Sequence, residues 1–273
     1  PPRSTPLYSS AASDVYKRQA QNTTLEPKGR INIGNVTVPV AAGRQVIANP
    51  YPSAISLLNI DVTGTLGKLS SYYVWDPKFF TSYTQPGKWV SFTGIGNSFA
   101  KTTSQSAYST GGIVESGQAF IVESLVAGSI TFRESDKLSL ISSLTGISNR
   151  PANLPDFSMF RTDLYVRNDS TYKLTDGVLN IFNSGYNNDA NEDDTKKVIS
   201  FNTRESLSII RDSLKMAIEK RNDIQAADTI FYFTSRLNEL PYRFRFEVTD
   251  FSSITGAFLE DRFTGIKTPI NNS

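Results

Sequence analysis

The sequence predicts an all-β chain made of two successive antiparallel β-sandwich modules with a jelly-roll-like layout. Three observations predict it. Short runs of β-branched and aromatic residues alternate apolar with polar side chains at period two. Turn formers (Gly, Pro, Asn, Asp) punctuate these runs roughly every 10–15 residues. The chain carries 17 Phe and 12 Tyr, an aromatic share of 11%, and such side chains suit the half-buried surface of a sheet.

The first series opens at 29–48, where Ile31, Ile33, Val36, Val38 and Val40 alternate with polar, small or turn-forming residues. Asn49-Pro-Tyr-Pro52 makes a corner, because the residue before each proline is pushed out of the helical region. Ser70–Pro77 (SSYYVWDP) is a strongly β-prone run ended by Asp-Pro. Gln85-Pro-Gly87 is a turn, and 88–92 (KWVSF) a strand followed by the loop Gly94-Ile-Gly96. Residues 101–112 read as a Ser/Thr/Gly loop, 114–123 as a strand around a glycine turn, and 128–133 as the next strand.

Residues 134–157 lose the pattern and contain Pro151 and Pro155, so the module boundary is expected there. The modules then cover 24–150 and 156–273. The second series contains strands at 160–166, 177–182, 229–233 and 242–248, with a polar, acidic loop at 183–197. Residues 207–221 read two ways. Leu207, Ile210, Leu214 and Ile218 have helical spacing, while Leu214, Met216 and Ile218 also alternate around an Asp212-Ser213 turn.

Composition excludes several chemistries. The chain has no Cys and no His. Thiolate or imidazole zinc sites, Cys nucleophiles, Ser-His-Asp triads and disulfides are therefore impossible. The formal charge of +2 resides in residues 1–19, where Arg3, Lys17 and Arg18 face Asp14. The remainder is neutral and shows no basic stripe of the kind nucleic acid requires. No apolar stretch is long enough to span a membrane.

Residues 1–23 are expected to be a leader without structure. The run Ser10-Ala-Ala-Ser-Asp-Val-Tyr-Lys-Arg-Gln19 resembles a translated sequencing adapter, has no sustained period and lacks the apolar centre of a signal peptide.

Four further segments carry a family resemblance. Asn49-Pro-Tyr-Pro-Ser53, Tyr73-Val-Trp-Asp-Pro77, the strand Ile113–Val122 (IVESGQAFIV) and Ala257–Gly265 (AFLEDRFTG) resemble motifs of Bacteroidota surface proteins exported by type IX secretion. The resemblance covers roughly residues 29–270. It implies an extracellular or outer-surface location, an adhesin-like region upstream of a sorting domain, and a hairpin rather than a helix at 207–221. It supplies no catalytic residues.

Candidate sites are few. Asp189, Asn191 and Asp193 place oxygen ligands at alternate positions, a spacing that suits calcium, although Asp194 stands where a calcium loop has Gly. No other cofactor is suggested. Trp75 and Trp89, with Tyr72, Tyr73, Phe79, Phe80 and Tyr83, would stack on a glycan if exposed and pack a core if not. Asp169-Ser-Thr171, Asp212-Ser-Leu214 and Asp228-Thr-Ile230 resemble Bacteroidota O-glycosylation acceptors, and each is also an ordinary turn pair. The adjacent carboxylates Glu260-Asp261 and Asp193-Asp194 point to opposite faces if they lie on strands, so adjacency makes no acid/base pair. Arg243 and Arg245 would guard an edge strand. The expected function is non-enzymatic, structural or adhesive, with an unidentified surface glycan or protein as partner. The rival is a carbohydrate-binding module of a polysaccharide-degrading enzyme.

Overall fold

Most alternating runs become strands, and the chain is all-β; residues 29–35 form no strand and leave Ile31 and Ile33 exposed, and Gly94 and Ile95 continue a strand where a loop is expected. The computed structural model describes residues 29–270 apart from 59, 64–68, 78–86, 107, 109–110, 139–156, 199–204 and 252–255. The leader expected at 1–23, Phe79, Phe80, Tyr83, Pro151 and Pro155 lie outside the described residues, as does most of the Gln85-Pro-Gly87 turn. The sole helical element among the described residues is a 3-10 turn at Glu134–Asp136.

The first half contains β1 (Val36–Val40), β2 (Gly43–Ala48), β3 (Ile55–Ser56), β4 (Asp61–Thr63), β5 (Ser71–Asp76), β6 (Lys88–Ile95), β7 (Ser98–Lys101), β8 (Ile113–Val114), β9 (Ala119–Ser124) and β10 (Gly128–Phe132). They pair as a five-stranded sheet β2-β9-β5-β6-β7, a three-stranded sheet β1-β10-β4 and the short pair β3-β8. One core lies between them, drawing Ile47, Tyr72, Val74, Phe92, Phe120 and Val122 from the first sheet and Val40, Val62, Ile130 and Phe132 from the second. Tyr72 stacks on Phe92 at 4.6 Å and meets Phe99 edge-on at 4.9 Å. The Asn-Pro-Tyr-Pro corner is bolted to this core. Asn49 Nδ2 donates to the carbonyls of Ser53, Val114 and Glu115, and the Tyr51 hydroxyl to those of Gly34 and Phe132.

The second half contains β11 (Ser158–Asn168), β12 (Thr171–Phe182), β13 (Thr195–Lys196), β14 (Ser206–Arg211), β15 (Leu214–Arg221), β16 (Tyr232–Ser235), β17 (Tyr242–Thr249), β18 (Phe258–Asp261) and β19 (Ile266–Pro269). Their main sheet runs β16-β14-β15-β12-β11-β17, with β13 added beside β15, and β18-β19 form a separate hairpin. The ambiguous segment is the hairpin β14-β15. Asp212 (φ 48°) and Ser213 (φ 70°) both occupy the left-handed region, the conformation a tight two-residue hairpin turn needs. One pair departs from the antiparallel expectation: β12 and β15 run parallel. The long excursion between them, over 183–213, gives the chain room to return in the same direction.

This sheet curls. The Thr162 Oγ1 on β11 and the Tyr232 hydroxyl on β16 lie 2.8 Å apart although their strands are not neighbours. Leu164, Val178, Leu207, Ile209 and Met216 fill the enclosed side. The connection 236–241 joins the two edge strands, β16 and β17.

Strand pairing does not cross from one half to the other among the described residues, but packing does. Ile95 and Ala100 share an apolar cluster with Phe157, Met159, Leu179, Ile181, Ala217 and Ile218. Polar bonds extend this seam. The Tyr73 hydroxyl donates to Lys196 O at 3.0 Å, Lys220 Nζ to Gly94 O at 3.1 Å and Arg161 Nη2 to Lys101 O at 3.4 Å.

Candidate functional site

Trp75 and Trp89 face each other across the β5-β6 ladder. Both are half-buried. Their rings meet edge-on, 5.3 Å apart with planes at 73°, so they do not form one flat platform. Trp75 also lies over Gly87, where an added Cβ would stand 2.5 Å from its ring. Glycine is required at that point both for its space and for its φ of +98°.

The acidic loop is built from side-chain-to-backbone bonds. Asn187 Oδ1 accepts from Asp189 N, and Asn191 Oδ1 accepts from Asp193 N at 2.7 Å. Asp194 accepts from Asn191 N and from Lys220 N. Asn191 thus spends its carbonyl oxygen inside the loop. Asp189 and Asp193 join these bonds through their backbone, as N–H donors to Asn187 and Asn191, and no three carboxylates converge on a metal position among the described residues. The loop forms one wall of a cleft of about 200 Å³, with Ser70, Ser71, Tyr73 and Glu123 opposite. Glu123 is engaged by Arg44 at 3.1 Å and Lys196 at 3.3 Å.

The remaining sequence candidates fall in turns. Asp169 and Asp212 sit at positive φ, and Asp228 Oδ2 accepts from Gln225 N. Asp261 holds the β18-β19 turn through Phe263 N and Thr264 Oγ1. Glu260 pairs across that hairpin with Lys267 at 3.4 Å.

The most concentrated chemistry lies at the seam, among residues that sequence patterning passed over. Asp176 on β12 is 3% exposed and takes four donors. Lys88 Nζ reaches Oδ2 at 3.0 Å and Lys197 Nζ reaches Oδ1 at 2.7 Å, while Leu207 N and Gly177 N supply the others. Lys88 comes from β6, in the other half. Its ammonium also donates to Thr175 O at 2.8 Å and Glu205 O at 2.9 Å, so all three of its hydrogens are matched. Burial alone would raise the Asp176 carboxyl. Lys197, Lys88 and the backbone donors outweigh it and hold the group below the ordinary range. Burial, with Lys197 beside it, pushes Lys88 down to about 8 against the pull of Asp176.

A second buried carboxyl lies close by. Asp163 on β11 is 2% exposed, and burial pushes it up to about 7 despite Arg161. Its Oδ1 has no hydrogen-bond partner. That oxygen and Thr102 O crowd the position of a Gly177 Cβ at 2.6 and 3.1 Å, so only glycine fits there. A third carboxyl, Glu219, is held by Asn180 Nδ2 and Arg211 at 2.6 Å each, beneath a recess of about 340 Å³ that Arg221, Thr229 and Phe231 also line.

The charged side chains of Asp176 and Glu219 are thus bonded to lysines, arginines and backbone, which makes them structural pins. A Thr-Asp-Gly string inside a strand was the one available signal, and it reads more readily as a turn. No helix among the described residues is long and apolar enough to cross a membrane. No family model matches the chain, and comparison with curated proteins and with solved structures likewise finds no match.

Proposed function

We propose that the chain is a non-enzymatic, rigid region of an extracellular or cell-surface protein, with a structural or adhesive role. One observation carries this: the Lys88–Asp176–Lys197 cluster joins the two halves through buried, fully bonded charges. A buried charge parted from its partner is expensive, so the seam resists bending and separation. That property suits a spacer or display element. The surface location follows from the sequence resemblance, which supports it independently of the seam.

Two measurements test the reading. Small-angle scattering and limited proteolysis of residues 24–273 are expected to report one rigid body, the two halves staying associated under native conditions whether or not the chain is nicked. The purified chain is expected to release no reducing sugar from a panel of polysaccharides and no product from ester substrates. Hydrolysis that survives repurification, or independent motion of the halves, would overturn it.

A further inference from the structure

Beyond the seam, one face of the β12-β11-β17 strands stays open. Alternation places Tyr165 and Arg167 of β11, Tyr172 of β12, and Arg243 and Arg245 of β17 on it. Their registers interlock: Tyr165 stands opposite Arg243, and Arg167 opposite Tyr172. All three arginines are exposed and both tyrosines half-buried. The Arg243 guanidinium lies 4.4 Å from the Tyr172 ring centroid. The carboxylates of the same face lie at its covered end. Asp163 is buried there, and Glu247 is taken by Arg161 at 2.9 Å and by Ser104. The open end therefore presents Arg167 and Arg243 with two aromatic rings, and Arg245 stands at its margin, opposite the buried Asp163.

We propose that this face binds an acidic polysaccharide, its carboxylate or sulfate groups held by Arg167, Arg243 and Arg245 and its sugar rings lying against Tyr165 and Tyr172. The proposal names a ligand class for the adhesive reading and rests on it only for location. Edge protection alone does not account for the arrangement. Any charge blunts an edge, and lysine serves well. Here the Arg243 guanidinium is already held over the Tyr172 ring, which lowers the ordering cost of binding an anion. Forked donors match planar carboxylate and sulfate oxygens. A long nucleic-acid track is disfavoured, because the patch is short and the chain is neutral outside its first residues.

The test is biolayer interferometry on the immobilised chain with polygalacturonate, dextran sulfate, neutral dextran and an oligo-dT strand. Binding of polygalacturonate or dextran sulfate, weakened by added salt, is expected, and the stronger of the two identifies the anionic group. Dextran and oligo-dT are expected to bind at least about tenfold more weakly. Arg243→Ala/Arg245→Ala should weaken binding about tenfold or more, and Arg243→Lys/Arg245→Lys by a smaller factor that shows the value of the fork. Thermal melts establish that both variants fold, and the wild-type preference stands as evidence if the alanine pair does not. No binding of either acidic polymer, equal binding of dextran, stronger binding of oligo-dT, or indifference of folded variants would overturn the proposal. Scattering and hydrolysis assays on the same preparation report separately on the rigid, non-enzymatic reading.

Discussion

Lys88 and Asp176 form a buried ion pair, Nζ to Oδ2 at 3.0 Å, between strands of two different sheets. Both side chains are buried, so Lys88 depends on Asp176 for its charge, and Asp176 on Lys88 and Lys197.

Lys88→Met should therefore destabilise the protein by about 3–5 kcal/mol, since it strips a buried carboxylate of one of its two cations. Lys267→Met, which removes an exposed pair with Glu260, should change stability by less than about 1 kcal/mol. Urea unfolding of both variants checks the contrast. Equal effects would deny the seam its role.

The two carboxyls at the seam give opposite pH signatures. Asp176 is depressed in the folded state, so its contribution is present above the ordinary carboxylate range and is lost as pH falls through its folded value. Asp163 is raised to about 7. Between about 4 and 7 the folded state then binds more protons than the unfolded one, and stability falls as pH rises. Asp163→Asn should flatten that decline and raise the urea midpoint at pH 8. A wild-type midpoint that climbs steadily from pH 5 to 8 would contradict the assignment.

Gly177→Ala should cost about 1–3 kcal/mol, because its Cβ meets Asp163 Oδ1 and Thr102 O and the backbone carbonyl cannot swing aside. Gly117→Ala meets nothing within 4 Å and should cost about 1–2 kcal/mol, for its positive φ alone. Adding Asp163→Ala should relieve part of the Gly177 penalty and none of the Gly117 penalty, which a double-mutant cycle by denaturation resolves.

Asp212-Ser213→Asn-Gly should stabilise the β14-β15 hairpin by up to about 1 kcal/mol, since both positions are left-handed and Asn-Gly adopts that geometry at least strain. A lowered melting temperature would show that the Asp212 or Ser213 side chain has a bonding role.

Strands were legible where one face is wet. Val36–Val40 and residues 242–246 alternate in sequence and in burial alike. The first half of β12 was hidden because Asp176-Gly177 resembles a turn, yet both residues answer to groups distant in sequence: Lys88 for the one, Asp163 and Thr102 for the other. Pattern reading sees neighbours along the chain, and a pin between halves has none there. The same limit applies to the aromatic candidates. Trp75 and Trp89 stand out in sequence as large rings, but only the ladder shows that they meet edge-on. Arg243 and Arg245 do lie on an edge strand, β17, as expected, but the Tyr172 ring under Arg243 arrives from another strand and is invisible to the pattern.

The seam also sets the order in which the molecule can be finished. Ile95 and Ala100 belong to strands synthesised well before β15, so the face they share with Ala217 and Ile218 is not fully covered until β15 arrives. Contacts of such long sequence separation slow folding and leave sticky intermediates in the interval. A nascent chain therefore gains its final cohesion late. A product cut short before β12 would carry Lys88 without Asp176 and Thr175 beside exposed apolar residues, a state that quality control or aggregation would remove.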